Sequence, residues 1–118
     1  MAYRLEFYRT PHGIEPALAY VRAKAKSHRA KIGRALQYHE DTGHLARRPQ
    51  VDYLGSDIYE LRVILDQHQH RLLYFFHGRS ITVVTSGLLK NVGKVPPSEI
   101  ECARKYRADW MLRFGGAK

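Results

Sequence analysis

The chain has 118 residues, 44% of them hydrophobic, a formal net charge of +9 and one cysteine. That length suits one domain with its own core, the hydrophobic share excludes wholesale disorder, and a lone cysteine excludes an internal disulfide. No apolar run approaches the ~20 residues of a membrane span and the first residues lack an apolar export core, so a single cytoplasmic domain over residues 1–118, with no membrane partner, is expected. The clustered positive charge favours a polyanion or an acidic protein as partner.

In chain order, Tyr3 to Tyr8 alternates weakly and predicts a first strand, followed by a turn at Thr10-Pro11-His12-Gly13. From Ile14 to about Thr42, Ile14, Leu18, Val21 and Ala25, then Ile32, Ala35, Leu36 and His39, recur at helical spacing. This predicts one or two helices, with a break near Ser27-His28 and a stop at Gly43. No acid stands between Glu15 and Glu40, while the span carries Arg22, Lys24, Lys26, Arg29, Lys31 and Arg34. A solvated helix usually mixes its signs, so this stretch is either a soluble outer face or a surface for RNA or an acidic partner.

After Pro49 come short strands at Val51–Leu54, Ile58–Leu65, Arg71–His77 and Ile81–Thr85. Asp66-Gln67-His68-Gln69 and Gly78-Arg79-Ser80 read as hairpin turns, too short for parallel crossovers, so the sheet is expected to be largely antiparallel. Pro96-Pro97-Ser98 introduces a last helix, with Ser98 and Glu101 at capping-box spacing. Its packing stripe is Ile100, Ala103, Tyr106, Trp110 and Phe114, and Gly115-Gly116 ends it. The fold class is α+β, with helices packed on one sheet.

Within Ile58–Leu65, alternation puts Tyr59, Leu61, Val63 and Leu65 on one face and Glu60 and Arg62 on the other. Arg62 thus stands mid-sheet, where a long cation has no packing need. The next strand opens with His70-Arg71 and ends at His77, and the last runs into a loop carrying Lys90 and Lys94 beside Gly87 and Gly93. Several cations can therefore line one sheet face and its rim. His68 and His70 form an H-x-H pair, but no further cluster has ligand spacing, so no metal is expected. Tyr74, Phe75, Phe76 and Trp110 are read as core, and Cys102 as a buried small hydrophobe.

The segments IYELRVI, RLLYFFHG and SGLLKN, with K-x-P and a basic helix behind them, resemble the HigB-like, phage-derived branch of the RelE/ParE toxin superfamily. The resemblance covers most of the chain. It implies a RelE-like twisted antiparallel sheet with an N-terminal helical hairpin and a C-terminal helix. It also implies the toxin of a type II toxin–antitoxin pair, and most characterised members of this kind cut mRNA on the ribosome without metal or cofactor. The partners implied are ribosome, mRNA and a cognate antitoxin, helix-turn-helix and HigA-like, with operator DNA reached only through the toxin–antitoxin complex.

In that chemistry the ribose 2′-hydroxyl attacks the adjacent phosphate and expels the 5′-oxygen. Fixed cations stabilise the growing charge, a base takes the 2′ proton and an acid protonates the leaving oxygen. By similarity, Arg62 and Arg71 hold the phosphate, Lys90 supplies a further cation with Lys94 as its substitute, and His70, His77 and Glu60 are the acid/base candidates. The family's catalytic tyrosine has no counterpart at the start of the last helix, where the first tyrosine is Tyr106, read here as packing. Two other readings stand beside this one: a ParE-like poison of DNA gyrase, and a non-catalytic phage-derived module that binds nucleic acid or protein.

Overall fold

The computed structural model describes residues 4–42 and 50–115. The expected helix stop at Gly43, the Pro49 region and Gly116 lie outside the described residues.

The elements run β1 (Arg4–Phe7), α1 (Pro16–Arg22), α2 (Lys26–Thr42), β2 (Val51–Gly55), β3 (Ile58–Leu65), β4 (His68–His77), β5 (Ile81–Leu89) and α3 (Pro97–Trp110), closed by a π-helical turn at Met111–Gly115. They build a mixed α+β structure on one five-stranded sheet in the order β1-β5-β4-β3-β2. From β2 to β5 the pairing is antiparallel, and β1 joins β5 in parallel.

Both faces of the sheet carry a core. Ala17 of α1 and Ile32 of α2 pack on Leu61, Val63, Leu72, Tyr74 and Val84. On the other face Ala103 and Trp110 of α3, with Val95, pack on Ile58, Leu73, Phe75 and Val83. The centre of β4 is therefore apolar on both sides: Leu72, Leu73, Tyr74 and Phe75 are all at most 1% exposed. A strand buried on two faces reads as a continuous apolar run, and the RLLYFF segment does so.

The β3–β4 turn is shorter than expected. Leu65 pairs with His68, leaving only Asp66 and Gln67 in the loop, at φ 52° and 66°. Two residues at positive φ make the tight turn whose twist matches a hairpin, usually signalled by Asn-Gly or Asp-Gly, which this sequence lacks here. β4 consequently starts at His68, and β5 runs on to Leu89 rather than stopping at Thr85.

The helix break falls earlier than Ser27-His28. Lys24 N bonds Val21 O at 3.0 Å, tightening the end of α1, and the Arg29 guanidinium bonds Lys24 O at 2.8 Å. His28 is thereby inside α2 and turned toward the sheet. The capping box does not form either. Pro96 caps α3 with no side-chain cap bond, Pro97 supplies the preset first turn, and Glu101 instead forks onto Arg104 at 3.0 Å. Phe114, in the π-helical turn, is 58% exposed although its ring lies 5.7 Å from that of Trp110. Cys102 is half-buried.

Candidate active site

Glu60 and Arg62 lie on the α3 side of β3, and Arg71 on the neighbouring β4 directly opposite Arg62. The three charged residues stand beyond the apolar core of Ile58 and Leu73, with Glu60 and Arg71 buried and Arg62 partly exposed. They border an open cleft of ≈ 310 Å³ that also takes in Asp52 of β2, Lys94 and Ile100.

Glu60 is 2% exposed and sits between the two guanidiniums. Its carboxylate is 3.4 Å from Arg62 Nε and 3.6 Å from Arg71 Nη1. Arg62 also reaches Asp52 Oδ2 at 3.2 Å. Arg71 is 4% exposed; its Nη2 donates to Gln69 Oε1 at 3.1 Å, and its Nε has no hydrogen-bond partner among the described residues. A buried carboxylate between two arginines is held by mutual neutralisation; Arg62 also donates to it at 3.4 Å, while Arg71 meets it only as an ion pair. With Lys94 the cleft sets three cations against two carboxylates, a net positive hollow with directed donors.

Lys90 follows β5 directly and is half-buried, whereas Lys94, on the far side of Gly93 (φ 81°), lines the cleft. Of these two, Lys94 is the lysine beside the arginines.

The histidines go elsewhere. His70 is adjacent to Arg71 and therefore points to the opposite face. It is 2% exposed there, with Nδ1 2.7 Å from Tyr20 Oη and Nε2 2.8 Å from His28 Nδ1. Burial, with His28, Lys24 and His68 beside it, holds its pKa below the usual value. His77 is six residues along β4 from Arg71, about 20 Å away. It packs on Trp110 at 5.1 Å between ring centroids, in a groove with Arg4, Glu6 and Ile81. Neither histidine borders the cleft. Among the described residues no group of three or more His, Cys, Asp or Glu side chains could hold a metal.

Tyr106 packs, stacked on Tyr8 at 4.6 Å. Sequence reasoning missed Asp52, Gln69 and the Tyr20–His70–His28 cluster. Asp52 is legible only once β2 is paired in register with β3, where it faces Glu60. The cluster joins two successive helices to a strand residue 42 positions beyond His28, and no local pattern announces it.

The basic stretch is mostly outward. Arg22, Lys26, Arg29, Lys31 and Arg34 are exposed, while Lys24 is half-buried with Nζ 4.2 Å over the Tyr20 ring. Lys31 and Arg62 border one shallow groove along β3, with Ala35, Gln50 and Ile64. Arg62 thus stands between that groove and the cleft.

Sheet, flanking helices and a cleft lined by Arg62, Arg71 and Lys94 with Asp52 and Glu60 define a small basic α+β protein. Residues 19–108 match the family described as phage derived protein Gp49-like (DUF891). The chain belongs to that family, which is one of the RelE/HigB-like toxin group. No curated protein matches the chain. Among the described residues no helix is long and apolar enough to cross a membrane.

Proposed function

We propose that this protein is the toxin of a type II toxin–antitoxin pair and a ribosome-dependent mRNA endonuclease that blocks translation and growth. Membership of the Gp49-like family supports the toxin part. The observation that carries the nuclease part is the Glu60–Arg62–Arg71 cluster bordering the cleft. A protein that poisons gyrase by docking alone has no need of two guanidiniums aimed into a cleft, so the cluster favours RNA cleavage over the ParE-like reading.

In this reading the phosphate at the scissile bond sits against Arg62, Arg71 and Lys94. The O2′–P bond forms as the P–O5′ bond breaks, and charge growing on the phosphoryl oxygens meets fixed donors. Of the three acid/base candidates, Glu60 alone borders the cleft. The RNA continues along the groove shared by Arg62 and Lys31 onto the outward cations of α2, which meet ribosomal RNA. The RelE-like arrangement, with α1 and α2 as its hairpin, a cytoplasmic location and a helix-turn-helix, HigA-like antitoxin that carries the toxin to operator DNA complete the proposal.

The test is induction followed by mapping of mRNA 5′ ends. New ends should appear within translated frames before supercoiling changes, and Arg62→Ala should remove them. Loss of supercoiling with intact mRNA would overturn the nuclease reading in favour of gyrase poisoning. Stable expression without growth inhibition would leave a non-catalytic binding module.

A further inference from the structure

Arg71 is steered by a residue that carries no charge. Gln69 lies two positions before it on β4, on the same face of the sheet. The Gln69 amide is used at both ends: Oε1 accepts from Arg71 Nη2 at 3.1 Å, and Nε2 donates to Asn91 O at 2.8 Å. Its backbone binds the same loop, since Gln69 N donates to Asn91 Oδ1 at 2.9 Å and Gln69 O accepts from Lys90 N at 3.1 Å. A strand end needs the backbone bonds to stay paired. It does not need a side chain that joins an arginine on the sheet to a carbonyl in the following loop.

The Arg71 side chain is buried, and its polar contacts are few. Glu60 lies 3.6 Å from Nη1, and Nε has no hydrogen-bond partner among the described residues. Of these two polar contacts, that with Gln69 is the shorter. The loop that Gln69 grips continues through Gly93 to Lys94, which borders the same cleft.

We infer that Gln69 is a positioning residue of the cleft, locking the Arg71 guanidinium to the Lys90–Lys94 loop so that sheet and loop cations meet one phosphate in a fixed arrangement. Fixed donors need no reorganisation when the anion arrives, and freedom in either partner would be lost on binding. The inference rests on the reading of the cleft as a phosphate site.

The experiment is a double-mutant cycle on the full chain, read as affinity for a single-stranded oligoribonucleotide by fluorescence anisotropy, with thermal unfolding of every variant. The set is wild type, Gln69→Ala, Arg71→Ala and the double variant; Arg71→Lys replaces Arg71→Ala if the latter does not fold. Gln69→Ala should weaken binding about tenfold, the worth of one charge-assisted hydrogen bond. On the Arg71-substituted background it should cost nothing further, because its effect passes through Arg71. That coupling at an unchanged melting temperature is a signature that loop clamping alone does not produce. An equal loss in both backgrounds, or none in either, overturns the inference. If a folded Arg71 variant keeps full RNA affinity, the phosphate reading itself fails and takes the inference with it; that result is read without Gln69 and so is told apart.

Discussion

His70 Nε2 lies 2.8 Å from His28 Nδ1, so two imidazoles join β4 to α2 through one shared hydrogen. One ring must donate and the other accept. With Tyr20 donating to His70 Nδ1, the consistent neutral arrangement has His70 Nε2–H donating to His28, whose Nε2 then faces Asp66 Oδ2 at 3.7 Å. Lys24 and His68 also lie beside His70. Burial foremost, and the electrostatic effect of His28, Lys24 and His68 next, keep His70 neutral in the folded chain to lower pH than in the unfolded one.

The first prediction is a pH dependence of stability. His70 has its folded pKa below the ordinary value of 6.5, so above that value both states hold it neutral and it contributes no slope. As pH falls below it, the unfolded chain takes up the proton first and stability declines, until the folded pKa is passed. Urea unfolding between pH 7.5 and 5 should show this decline, and His70→Gln should flatten it. A slope unchanged in His70→Gln would show that the acid sensitivity arises elsewhere.

Breaking the charged cluster from its buried side should be costly. Glu60→Ala leaves the Arg71 guanidinium, 5% exposed at its side chain, without its carboxylate. Removing one partner of a buried pair costs about 3 kcal/mol or more. Arg62→Ala, at a side chain 24% exposed, should cost about 1 kcal/mol or less while removing activity by about 100-fold. Denaturant midpoints set against growth inhibition separate the two effects. Equal stability losses in the two variants would contradict this division.

Gly87 is a close-approach glycine. A Cβ there would lie 2.6 Å from Cδ2 of the Tyr20 ring, which is itself tied to His70. Gly87→Ala must displace α1 from β5 and should destabilise by about 1–3 kcal/mol. The melting temperature reports it, and a neutral substitution would mean that the ring moves freely.

Gly33 is the opposite case. It lies inside α2, and a Cβ there would meet nothing within 4 Å. Gly33→Ala should stabilise by about 1 kcal/mol, the usual helical difference between the two residues. A lower melting temperature would contradict that accounting.

Much of the fold is legible in local pattern. Period-two alternation identifies β3 to the residue and places Glu60 and Arg62 on the face away from Leu61 and Val63. Pro97 marks the start of α3, and the acid-free stretch marks the cationic surface of α2. The errors are also local in origin. A two-residue turn at positive φ without glycine hides the start of β4, and a helix junction closed by the Arg29 side chain shifts the break. Phe114, in the π-helical turn, stays beside Trp110 but largely exposed.

The amino-acid sequence by itself determines the charge, the order of the elements and which residues of each strand share a face, because these follow from composition and from a repeat of two. It also brings Arg62 and Arg71 into view as a pair. Only the tertiary structure decides the company they keep. Strand register sets Asp52 beside Glu60, and the loop after β5 brings Asn91 to Gln69 and Lys94, rather than Lys90, to the cleft. The same packing sends His70 to Tyr20 and His28 and His77 to Trp110. The physical reason is that a catalytic or binding constellation is a set of distances between segments remote in sequence, and those distances are set by how two cores pack on the two faces of one sheet.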